Sequence, residues 1–446
     1  MKTAALHNLG CKVNAFETEA MQELLENDGY EIVDFSERAD VYVINTCTVT
    51  NIADRKSRQM LHRARKLNPD AVIVAAGCYV QNRMPGDAAA GQDADVWLGT
   101  GEKTRLVSAI DEFLAKRDAE REDALCYVND ISRGSHYEPM EIKVATGRER
   151  AFIKVEDGCN MFCSYCIIPY VRGRVRSASA DDIVRQVKSL VDGGYREIVF
   201  NGIHLDSYGV DTGDTLVGLL GRVARECAPD RIRLGSLEPG FISDDNVARL
   251  KEIPGLCPHF HLSLQSGCDT VLERMRRRYD TEKYARAVDS LREAFDRPAI
   301  TTDIICGFPG ESEDEFAQTE EFVRRIGFSD VHLFPYSRRK GTRADAMDGQ
   351  LTEKEKKDRV RRLSETVASC RRAYEDSLVG SEASVLVEEE ITRDGQSCFK
   401  GHCPRYLEVA VTGGDAVPGQ IVTGTLSRGD ILGDGSSSLY LSCQMR

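Results

Sequence analysis

The sequence predicts an α/β protein with three domains: an N-terminal parallel-sheet domain, a central partial (β/α)6 barrel and a small C-terminal antiparallel β-barrel. Its 446 residues suit two to three domains of roughly 100–200 residues each. Strand patterns alternate with helical patterns through most of the chain, which is typical of parallel sheets. The last stretch instead carries short strands between turns rich in Gly and Asp, which is typical of a small barrel.

The N-terminal domain, residues 1–125, alternates strand and helix patterns. A helix is predicted to begin at Asn14, because Glu17 three residues later completes a capping-box pattern, and to end near Asp28. A second helix is predicted over 54–66. The strands of this domain are predicted at 3–9, 41–45 and 71–75.

Residues 126–150 are charged and irregular, and they are predicted to link the first domain to the central one, residues 151–374. Helical patterns separate six strand candidates in the central domain. Six units are too few for the closed eight-stranded barrel, so a partial barrel is favoured. A highly charged helix, roughly 352–378, follows. The strand candidates are 152–156, 197–201, 231–235, 260–264, 301–306 and 330–334.

The C-terminal domain, residues 375–446, contains five short strand candidates and resembles an oligonucleotide-binding type of barrel. Its cysteines Cys398, Cys403 and Cys443, with His402, offer a possible small metal site, although free cysteines are usually buried apolar residues. The predicted strands are 383–389, 397–400, 406–411, 420–426 and 438–443.

Composition narrows the classes of function. The net charge of −13 excludes a wholly basic nucleic-acid coat but allows a local basic stripe. No apolar run approaches 18 residues, so no membrane span is expected. The apolar stretch at the start is too short for a signal peptide, so the cytoplasm is expected. In that compartment the 15 cysteines are predicted to be core residues, catalysts or metal ligands.

The clearest motif is C-x3-C-x2-C, formed by Cys159, Cys163 and Cys166 directly after a predicted strand. Three thiolates on one loop can face a single metal centre and leave one tetrahedral position open. A structural zinc site would need a fourth ligand, such as His204. The usual second cysteine pair of a zinc site does not occur in the central domain, which disfavours zinc.

A second set of cysteines has no local spacing. Cys11, Cys47 and Cys78 each follow the carboxyl end of a predicted parallel strand. Because ligand sites form where such strand ends meet, the three thiols are predicted to converge on one metal centre. Each cysteine alone would more often be a buried apolar residue.

With these motifs in place, the chain resembles the methylthiotransferase family of the radical S-adenosylmethionine (SAM) superfamily. The resemblance implies an N-terminal cluster domain, a radical SAM barrel and a C-terminal TRAM domain. Lys12-Val13-Asn14 and Arg172-Gly173-Arg174 look like the branch that acts on N6-threonylcarbamoyladenosine (t6A) in tRNA. The matching stretches are LGCKVN (9–14), NTC (45–47), GC (77–78), GCNMFCSYCIIPYVRGRVRS (158–177), HLSLQSGCDTVLERMRRRY (261–279), GFPGE (307–311) and FPYSRRKGT (334–342).

The resemblance implies that C2–H of t6A at tRNA position 37 is replaced by a methylthio group. The carbon is unactivated, so general acid–base catalysis has little to act on and a radical route is implied. The implied cofactors are two [4Fe–4S] clusters, one on each cysteine set, with sulfide on the auxiliary N-terminal cluster and two SAM molecules per turnover. The implied partners are a tRNA anticodon stem-loop and an electron donor such as flavodoxin or ferredoxin, and a monomer is expected.

Candidate SAM-binding residues lie at predicted strand ends and in turns. Gly307 and Gly310 are expected to let the backbone approach the adenine of the cofactor closely. Residues 201–203 read Asn-Gly-Ile where the family more often has Gly-Gly-Glu, so the partner of the SAM amino group is left open. The full candidate set is Tyr165, Asn201, Gly202, Ser236, Glu238, Gln265, Asp303, Gly307 and Gly310.

Candidate RNA contacts form two groups. Three alternating arginines follow the central cysteine motif and suit phosphate binding. A loop of the C-terminal barrel offers positive charge, with Tyr406 predicted to stack on a base. The residues are Arg172, Arg174, Arg176, Lys400, His402, Arg405 and Tyr406.

Two alternatives stay open. The same chemistry on N6-isopentenyladenosine of tRNA, or on an aspartate of a ribosomal protein, would use the same cysteines. A non-catalytic, zinc-stabilised RNA-binding protein would hold zinc and no iron.

Overall fold

The protein is described by a computed structural model at residues 2–83, 93–118, 124–132, 136–142, 149–393, 396–412, 416–429 and 438–442. These residues form a parallel-sheet domain, a partial barrel of parallel strands and a closed five-stranded barrel, in that order along the chain. The predicted fold class is confirmed. Within these described ranges, no helix combines the length and the apolar character that crossing a membrane requires.

The N-terminal sheet has six parallel strands among the described residues, in the spatial order β2-β1-β3-β4-β5-β6. All residues of the third and fourth strands are buried, because helices cover both faces of the sheet. The strands are β1 (Thr3–Asn8), β2 (Glu31–Ile32), β3 (Val41–Thr46), β4 (Val72–Gly77), β5 (Val96–Leu98) and β6 (Leu125–Tyr127). The helices are α1 (Lys12–Asn27), α2 (Asn51–Leu67), α3 (Cys78–Gln81) and α4 (Leu106–Asp118).

Helix α1 begins at Lys12, with Cys11 as its N-cap residue, so the predicted start at Asn14 is wrong. Asn14 lies within the first turn of the helix and is buried. Glu17 is fully buried and makes ion pairs instead of a capping bond. The same three-residue spacing would suit a capping box, but tertiary contacts have recruited both side chains.

The predicted linker is not wholly irregular. Residues 125–127 form strand β6, which pairs in parallel with β5 and extends the N-terminal sheet. Residues 133–135 and 143–148 of this segment lie outside the described residues.

The central domain carries its parallel strands in two runs, β7-β10-β11 and β12-β13-β14-β15. Strands β11 and β12 belong to one extended segment that is interrupted at Gly235, so the predicted six strand positions are present. Two short strands, β8 and β9, pair in an antiparallel manner beside the central cysteine loop. The strands are β7 (Arg150–Lys154), β8 (Glu156–Asp157), β9 (Arg176–Ser177), β10 (Glu197–Asn201), β11 (Arg231–Leu234), β12 (Ser236–Leu237), β13 (His259–Leu262), β14 (Ala299–Cys306) and β15 (Asp330–Pro335).

The helices of the central domain pack outside these strands. Capping boxes begin the last two, at Ser312 with Glu315 and at Thr352 with Glu355. The helices are α5 (Ile168–Val171), α6 (Ala180–Asp192), α7 (Leu216–Glu226), α8 (Asp244–Lys251), α9 (Asp269–Arg274), α10 (Thr281–Ala294), α11 (Glu313–Ile326) and α12 (Glu353–Leu378). Short 3-10 helices occur at Lys103–Arg105, Leu205–Ser207, Pro239–Phe241 and Arg343–Ala346.

The C-terminal barrel closes in the order β16-β17-β18-β20-β19. Most pairs are antiparallel as predicted, but β18 and β20 run parallel. Leu378 at the end of α12 is buried in the barrel core, which anchors the barrel to the central domain. The strands are β16 (Glu382–Arg393), β17 (Gln396–His402), β18 (Glu408–Thr412), β19 (Ile421–Gly429) and β20 (Ser438–Ser442).

Candidate functional site

The N-terminal cysteines follow three neighbouring strands. Cys11 comes after β1, Cys47 after β3 and Cys78 after β4, and these strands pair in the order β1-β3-β4. Gly10 (φ 112°) lies so close that a Cβ atom placed on it would be 3.1 Å from the Cys47 sulfur. The structure therefore brings the three thiols, which are 36 and 31 residues apart in the chain, to one edge of the sheet.

Burial governs the ionisation of these thiols. It raises the pKa of Cys47 to about 12, with further contributions from the neighbouring Cys78 and Cys11. Burial also raises the pKa of Cys78, while Arg172 acts in the opposite direction. Iron binds the thiolate form, so a bound metal has to replace these protons.

Asn14 and Arg172 join the three thiol positions. The Asn14 amide nitrogen donates to the carbonyl oxygens of Leu9 (2.7 Å) and Thr46 (3.0 Å), just before Cys11 and Cys47. Its amide oxygen accepts a bond from Arg172 Nη2 at 2.6 Å. Arg172 Nε in turn lies 3.3 Å from the Cys78 sulfur. One amide and one guanidinium thus fix the geometry of the whole N-terminal triad, which we define as Cys11, Cys47 and Cys78.

The loop triad, Cys159, Cys163 and Cys166, lies on a single turn after β8. Gly158 (φ 89°) precedes it, and a Cβ atom there would be 2.0 Å from the Arg174 carbonyl oxygen, so the turn requires glycine. The Cys163 sulfur accepts a bond from Arg277 Nη1 at 3.0 Å. Burial raises the pKa of Cys159 and of Cys166 to about 12 in each case.

The two triads lie close to each other. Cys78 packs in an apolar cluster with Ile167 and Val171, which directly follow the loop triad. A cavity of about 720 Å³ is lined by Cys11 of the N-terminal triad and by Ile168, which lies two residues after Cys166 of the loop triad. The described cysteines carry no disulfide, so both triads present three free thiols.

Four of the SAM candidates line this cavity: Asn201, Gly202 and Ser236 at strand ends, and Asp303 within β14. The C-terminal domain also reaches the cavity, through three of the predicted RNA contacts, His402, Arg405 and Tyr406, and through their neighbours Leu407 and Glu408. Three domains therefore contribute to a single cavity.

The remaining SAM candidates on strands and loops have protein partners. Glu238 forms a two-point ion pair with Arg277, at 2.5 and 2.6 Å. Gln265 has a positive φ angle of 70°, and its backbone N–H donates to the Asp303 carbonyl oxygen at 2.8 Å. Tyr165 is packed against a separate apolar cluster around Cys268 and Met275, where burial raises its pKa.

The expected role of Gly307 and Gly310 is not supported by their surroundings. A Cβ atom on Gly307 would meet the Lys356 side chain at 2.4 Å. The Gly310 N–H donates to the Gly349 carbonyl oxygen at 2.9 Å. Both glycines have positive φ angles, 75° and 73°. Glycine is therefore explained here by the conformation of the turn after β14 and by its packing against the segment around α12.

The prediction that Arg172 and Arg176 contact phosphate is wrong in this fold. The Arg172 side chain is 0% exposed and pairs with Glu17 (2.9 Å) and Asp157 (3.0 Å). Arg176 is also buried and pairs with Asp157 at 3.4 Å. Of the three alternating arginines only Arg174 is exposed, with its guanidinium over the Phe162 ring at 4.5 Å.

The buried arginines belong to a larger group of charges between the first two domains. Glu17 of α1 also pairs with Lys154 (3.0 Å) and Lys103 (3.3 Å), and all three side chains are 0% exposed. These ion pairs include four cations and two carboxylates, and one of the cations, Arg172, contacts the Cys78 sulfur. A cation next to a thiol favours its thiolate form, which is the form that binds metal. Sequence reasoning missed this group, because Glu17 and Lys103 are far in the chain from the other members, which lie between residues 154 and 176.

The C-terminal loop is occupied by contacts to the central domain. Arg231 and Arg233 of β11 donate to the backbone carbonyl oxygens of residues 402–404. Arg405 donates to the backbone carbonyl oxygens of residues 296 and 297. The loop thus holds the C-terminal barrel against the strands of the central domain.

The predicted RNA-binding side chains of that loop also have protein partners. Lys400 pairs with Glu389 and Glu408, and His402 lies 3.0 Å from Glu388. The Tyr406 ring stacks on His402 at 4.9 Å, so it is not a free platform for a base.

The possible C-terminal metal site gains no support from the described residues. Cys403 is buried in the barrel core, where it packs among apolar side chains. Cys443 lies outside the described residues.

Several cavity residues carry no signal in the sequence. His261, Asp303 and His332, on three successive strands, bring their ligand atoms within 4.8 Å of one another. His259 and Lys12 also line the cavity. A sequence pattern could have found only Lys12, through its position next to Cys11, because the histidines depend on strand register.

Comparisons with known proteins agree with this geometry. The Radical SAM superfamily model matches residues 153–323, and the model for Uncharacterized protein family UPF0004 matches residues 3–99. The chain is 39% identical to threonylcarbamoyladenosine tRNA methylthiotransferase MtaB of Bacillus subtilis, over 95% of this chain and 93% of that protein. The chain belongs to the radical SAM methylthiotransferase family.

Relatives from both tRNA branches are similar to this methylthiotransferase. It is 39% identical to MtaB of Aquifex aeolicus, over 86% of this chain and 93% of the relative. It is 36% identical to tRNA-2-methylthio-N(6)-dimethylallyladenosine synthase of Moorella thermoacetica, over 96% of both chains. The family implies a [4Fe–4S] cluster and SAM as cofactors, and the loop triad with its three free thiols fits such a cluster.

A solved structure shares the fold. The radical SAM methyltransferase TsrM from Kitasatospora setae, with tryptophan substrate and a SAM analogue bound, matches with a TM-score of 0.54 at 15% identity. The match covers 75% of this chain and 73% of that chain. At this identity the likeness shows the fold alone.

Proposed function

We propose that this methylthiotransferase converts t6A at position 37 of tRNA into its 2-methylthio derivative, using an iron–sulfur cluster on each cysteine triad. The observation that carries the proposal is one cavity that all three domains line, with Cys11 of the N-terminal triad in its wall and Ile168, two residues after the loop triad, beside it. A reaction that needs a radical and a sulfur donor at one carbon requires two such centres next to one substrate pocket.

The protein's own residues hold the ligands in place. The loop triad would hold the [4Fe–4S] cluster that supplies radical chemistry with SAM, and the N-terminal triad would hold the auxiliary cluster that carries sulfide; two SAM molecules would be used per turnover. Arg277 holds the Cys163 sulfur, and Arg172 holds the Cys78 sulfur. Asn14 sets the positions of the segments before the other two N-terminal thiols.

The strand ends supply the polar groups of the pocket. Asn201 and Ser236 line the cavity at the ends of neighbouring strands of the central domain. In that position their side chains can orient the cofactor against the base, which is the part of the chemistry that the protein contributes.

Of the three arginines predicted to contact tRNA next to the loop triad, one is exposed. Arg174 is exposed next to the loop triad and is the candidate for a phosphate of the anticodon stem-loop. An electron donor such as flavodoxin or ferredoxin, a monomeric state and a cytoplasmic location complete the proposal.

The isopentenyladenosine reaction is the second candidate, favoured by the 36% identity to the Moorella thermoacetica synthase. Anaerobically reconstituted protein should be incubated with SAM, a reductant and anticodon stem-loops carrying either t6A or isopentenyladenosine. We expect mass spectrometry to find the methylthio product from the t6A RNA. Product from the isopentenyladenosine RNA alone would overturn the choice of substrate, and zinc without iron in the purified protein would overturn the enzyme itself.

A further inference from the structure

Lys12 presents an ammonium group to the cavity without a carboxylate partner. It is the first residue of α1, directly after Cys11 of the N-terminal triad. It is exposed where it lines the cavity. The ion pairs among the described residues do not include it, and its contact is with the Tyr406 ring, whose centroid lies 5.5 Å from Nζ.

The other cations near Lys12 are compensated. Arg150 and Arg233 also contact the Tyr406 ring, but Arg150 pairs with Glu388 at 2.9 Å and Arg233 pairs with Glu197 at 2.6 Å. Neither guanidinium is therefore available to an anion without breaking an existing ion pair.

The carboxylates that line the cavity are engaged as well. Asp303 lies 3.4 Å from His261, Asp330 lies 3.6 Å from Arg371, and Glu408 lies 3.7 Å from Lys400. Lys12 is therefore the cation in this cavity wall that has no carboxylate partner among the described residues, and an anion that enters the cavity is expected to bind there. In a pocket walled by protein such an attraction is stronger than in bulk water.

A second cavity residue has an unused hydrogen-bonding atom. His259 is 4% exposed, lines the cavity and packs against Tyr406 at a ring distance of 5.0 Å. Its Nε2 bonds Thr301, but its Nδ1 is buried without a partner in the described structure. Buried polar atoms are usually satisfied, so this atom points to a bound polar group.

The two candidate bases differ in the group on N6. The threonylcarbamoyl group ends in a carboxylate and carries a hydroxyl, whereas the isopentenyl group is a hydrocarbon. With C2 of the base next to the triads, the N6 substituent is only a few bonds away and can reach the residue that follows Cys11. An ammonium in the cavity wall gains a charge-assisted hydrogen bond from a carboxylate but only loses hydration against a hydrocarbon.

We infer that Lys12 binds the carboxylate of the threonylcarbamoyl group and selects t6A over isopentenyladenosine, with His259 beside it as a hydrogen-bonding partner for the same group. The inference rests on the proposed function, because it requires the modified adenosine to enter this cavity.

The test varies the protein and the substrate together. Reconstituted wild-type protein and the Lys12→Met variant are titrated with anticodon stem-loops that carry t6A or the carboxamide of t6A, and affinity is measured by fluorescence anisotropy. In the wild type, replacing the carboxylate should weaken binding about 10- to 100-fold, as expected for a charged hydrogen bond. In Lys12→Met the two RNAs should bind equally. Lys66→Met, which removes an exposed positive charge of the same domain, should behave like the wild type.

Each other outcome has a definite meaning. A carboxamide penalty that is equal in wild type and Lys12→Met overturns the inference. So does a Lys12→Met variant whose affinity falls by the same factor for the t6A RNA and for an isopentenyladenosine RNA titrated in parallel, because that result would indicate a phosphate contact. If Lys12→Met loses iron, Lys12→Arg is used, and it should keep the wild-type penalty; a lost penalty there contradicts charge recognition. Wild-type protein that thiolates only the isopentenyladenosine RNA overturns the proposed function, whatever Lys12 does.

Discussion

The two cysteine triads each bring three thiols together, but one does so within a single local turn and the other through residues that are distant in the chain. The loop triad occupies eight consecutive residues on one turn, 159–166. The N-terminal triad depends on three strands, on Asn14 of α1 and on Arg172 from the next domain. In both, a buried arginine donates to one sulfur, Arg277 to Cys163 and Arg172 to Cys78. The comparison teaches that a local motif needs one supporting contact, whereas a dispersed site needs the domain interface.

The largest expected effect separates the chemistry of the two triads. Cys163→Ala should abolish both reductive cleavage of SAM and formation of the methylthio product, because the loop triad then lacks a cluster ligand. Cys47→Ala should keep SAM cleavage and lose the product. Both are measured by chromatography of 5′-deoxyadenosine and by mass spectrometry of the RNA nucleosides. Full methylthio product from Cys47→Ala would refute the auxiliary role of the N-terminal triad.

The next effect tests the dependence of the N-terminal triad on the interface. Arg172→Gln should lower the free energy of unfolding by about 3–5 kcal/mol, because one partner of a buried charge group is removed. It should also reduce iron from about eight to about four per chain, with the loop cluster retained. Arg172→Lys keeps the positive charge but loses the forked geometry of the guanidinium. Its free energy of unfolding and its iron content should therefore lie between those of the wild type and of Arg172→Gln.

The control for this prediction is a variant that breaks a solvent-exposed ion pair. Arg38→Gln removes a partner of Asp70 at 3.8 Å, where both side chains are mostly exposed, and should cost less than about 1 kcal/mol. Urea unfolding followed by circular dichroism measures both variants. Equal destabilisation by Arg172→Gln and Arg38→Gln would show that the interface charges do not support the fold.

Replacing Arg277 at the loop triad is expected to destabilise the protein less than replacing Arg172, and to affect the other cluster. Arg277→Gln leaves Glu238, which is 13% exposed, without its ion pair, at a cost of about 1.5–3 kcal/mol for charged hydrogen bonds. In this variant the N-terminal triad should retain its iron and the loop triad should lose iron, so the rate of SAM cleavage should fall. If Arg277→Gln and Arg172→Gln lose the same cluster, as judged by iron counting and SAM cleavage, the assignment of one arginine to each triad is wrong.

The parts that sequence could predict are those set by local pattern. Alternating strands and helices predicted both parallel sheets, and Gly-Cys pairs after strands predicted the convergence of Cys11, Cys47 and Cys78, since strand ends share an edge. Arg172 could not be assigned, because its partner Glu17 is 155 residues away. An arginine in an Arg-Gly-Arg stretch looks the same whether it contacts phosphate or a buried carboxylate.

Turn and cap residues show the same limit. Asn14 and Glu17 have capping-box spacing, yet both are recruited by tertiary contacts. Gly307 was predicted to face a cofactor, but a turn with positive φ requires glycine whatever packs against it, and here Lys356 does. Local spacing specifies the conformation of a residue, and only the fold specifies its neighbour.

The smallest expected effect concerns Tyr406, through which the C-terminal barrel touches the first residue of α1. Burial alone would raise the pKa of Tyr406, but Lys12, Arg150 and Arg233 lower it below the ordinary value of 10. Because the folded state has the lower pKa, the ionised form is favoured by folding. This contribution to stability is absent at neutral pH and grows as the pH rises through the folded pKa toward 10.

Tyr406→Phe should therefore remove one tyrosine that ionises below pH 10, while buried tyrosines whose pKa is raised, such as Tyr279 and Tyr284, titrate later. The difference in ultraviolet absorbance between wild type and variant across an alkaline titration measures it. Tyr374→Phe, in α12 beside the same barrel, is the matched control, because burial raises the pKa of Tyr374 and its loss should leave the early step intact. If the wild-type and Tyr406→Phe curves coincide below pH 10, Lys12, Arg150 and Arg233 do not lower the pKa of this ring, and the contact between α1 and the C-terminal barrel through Tyr406 is refuted.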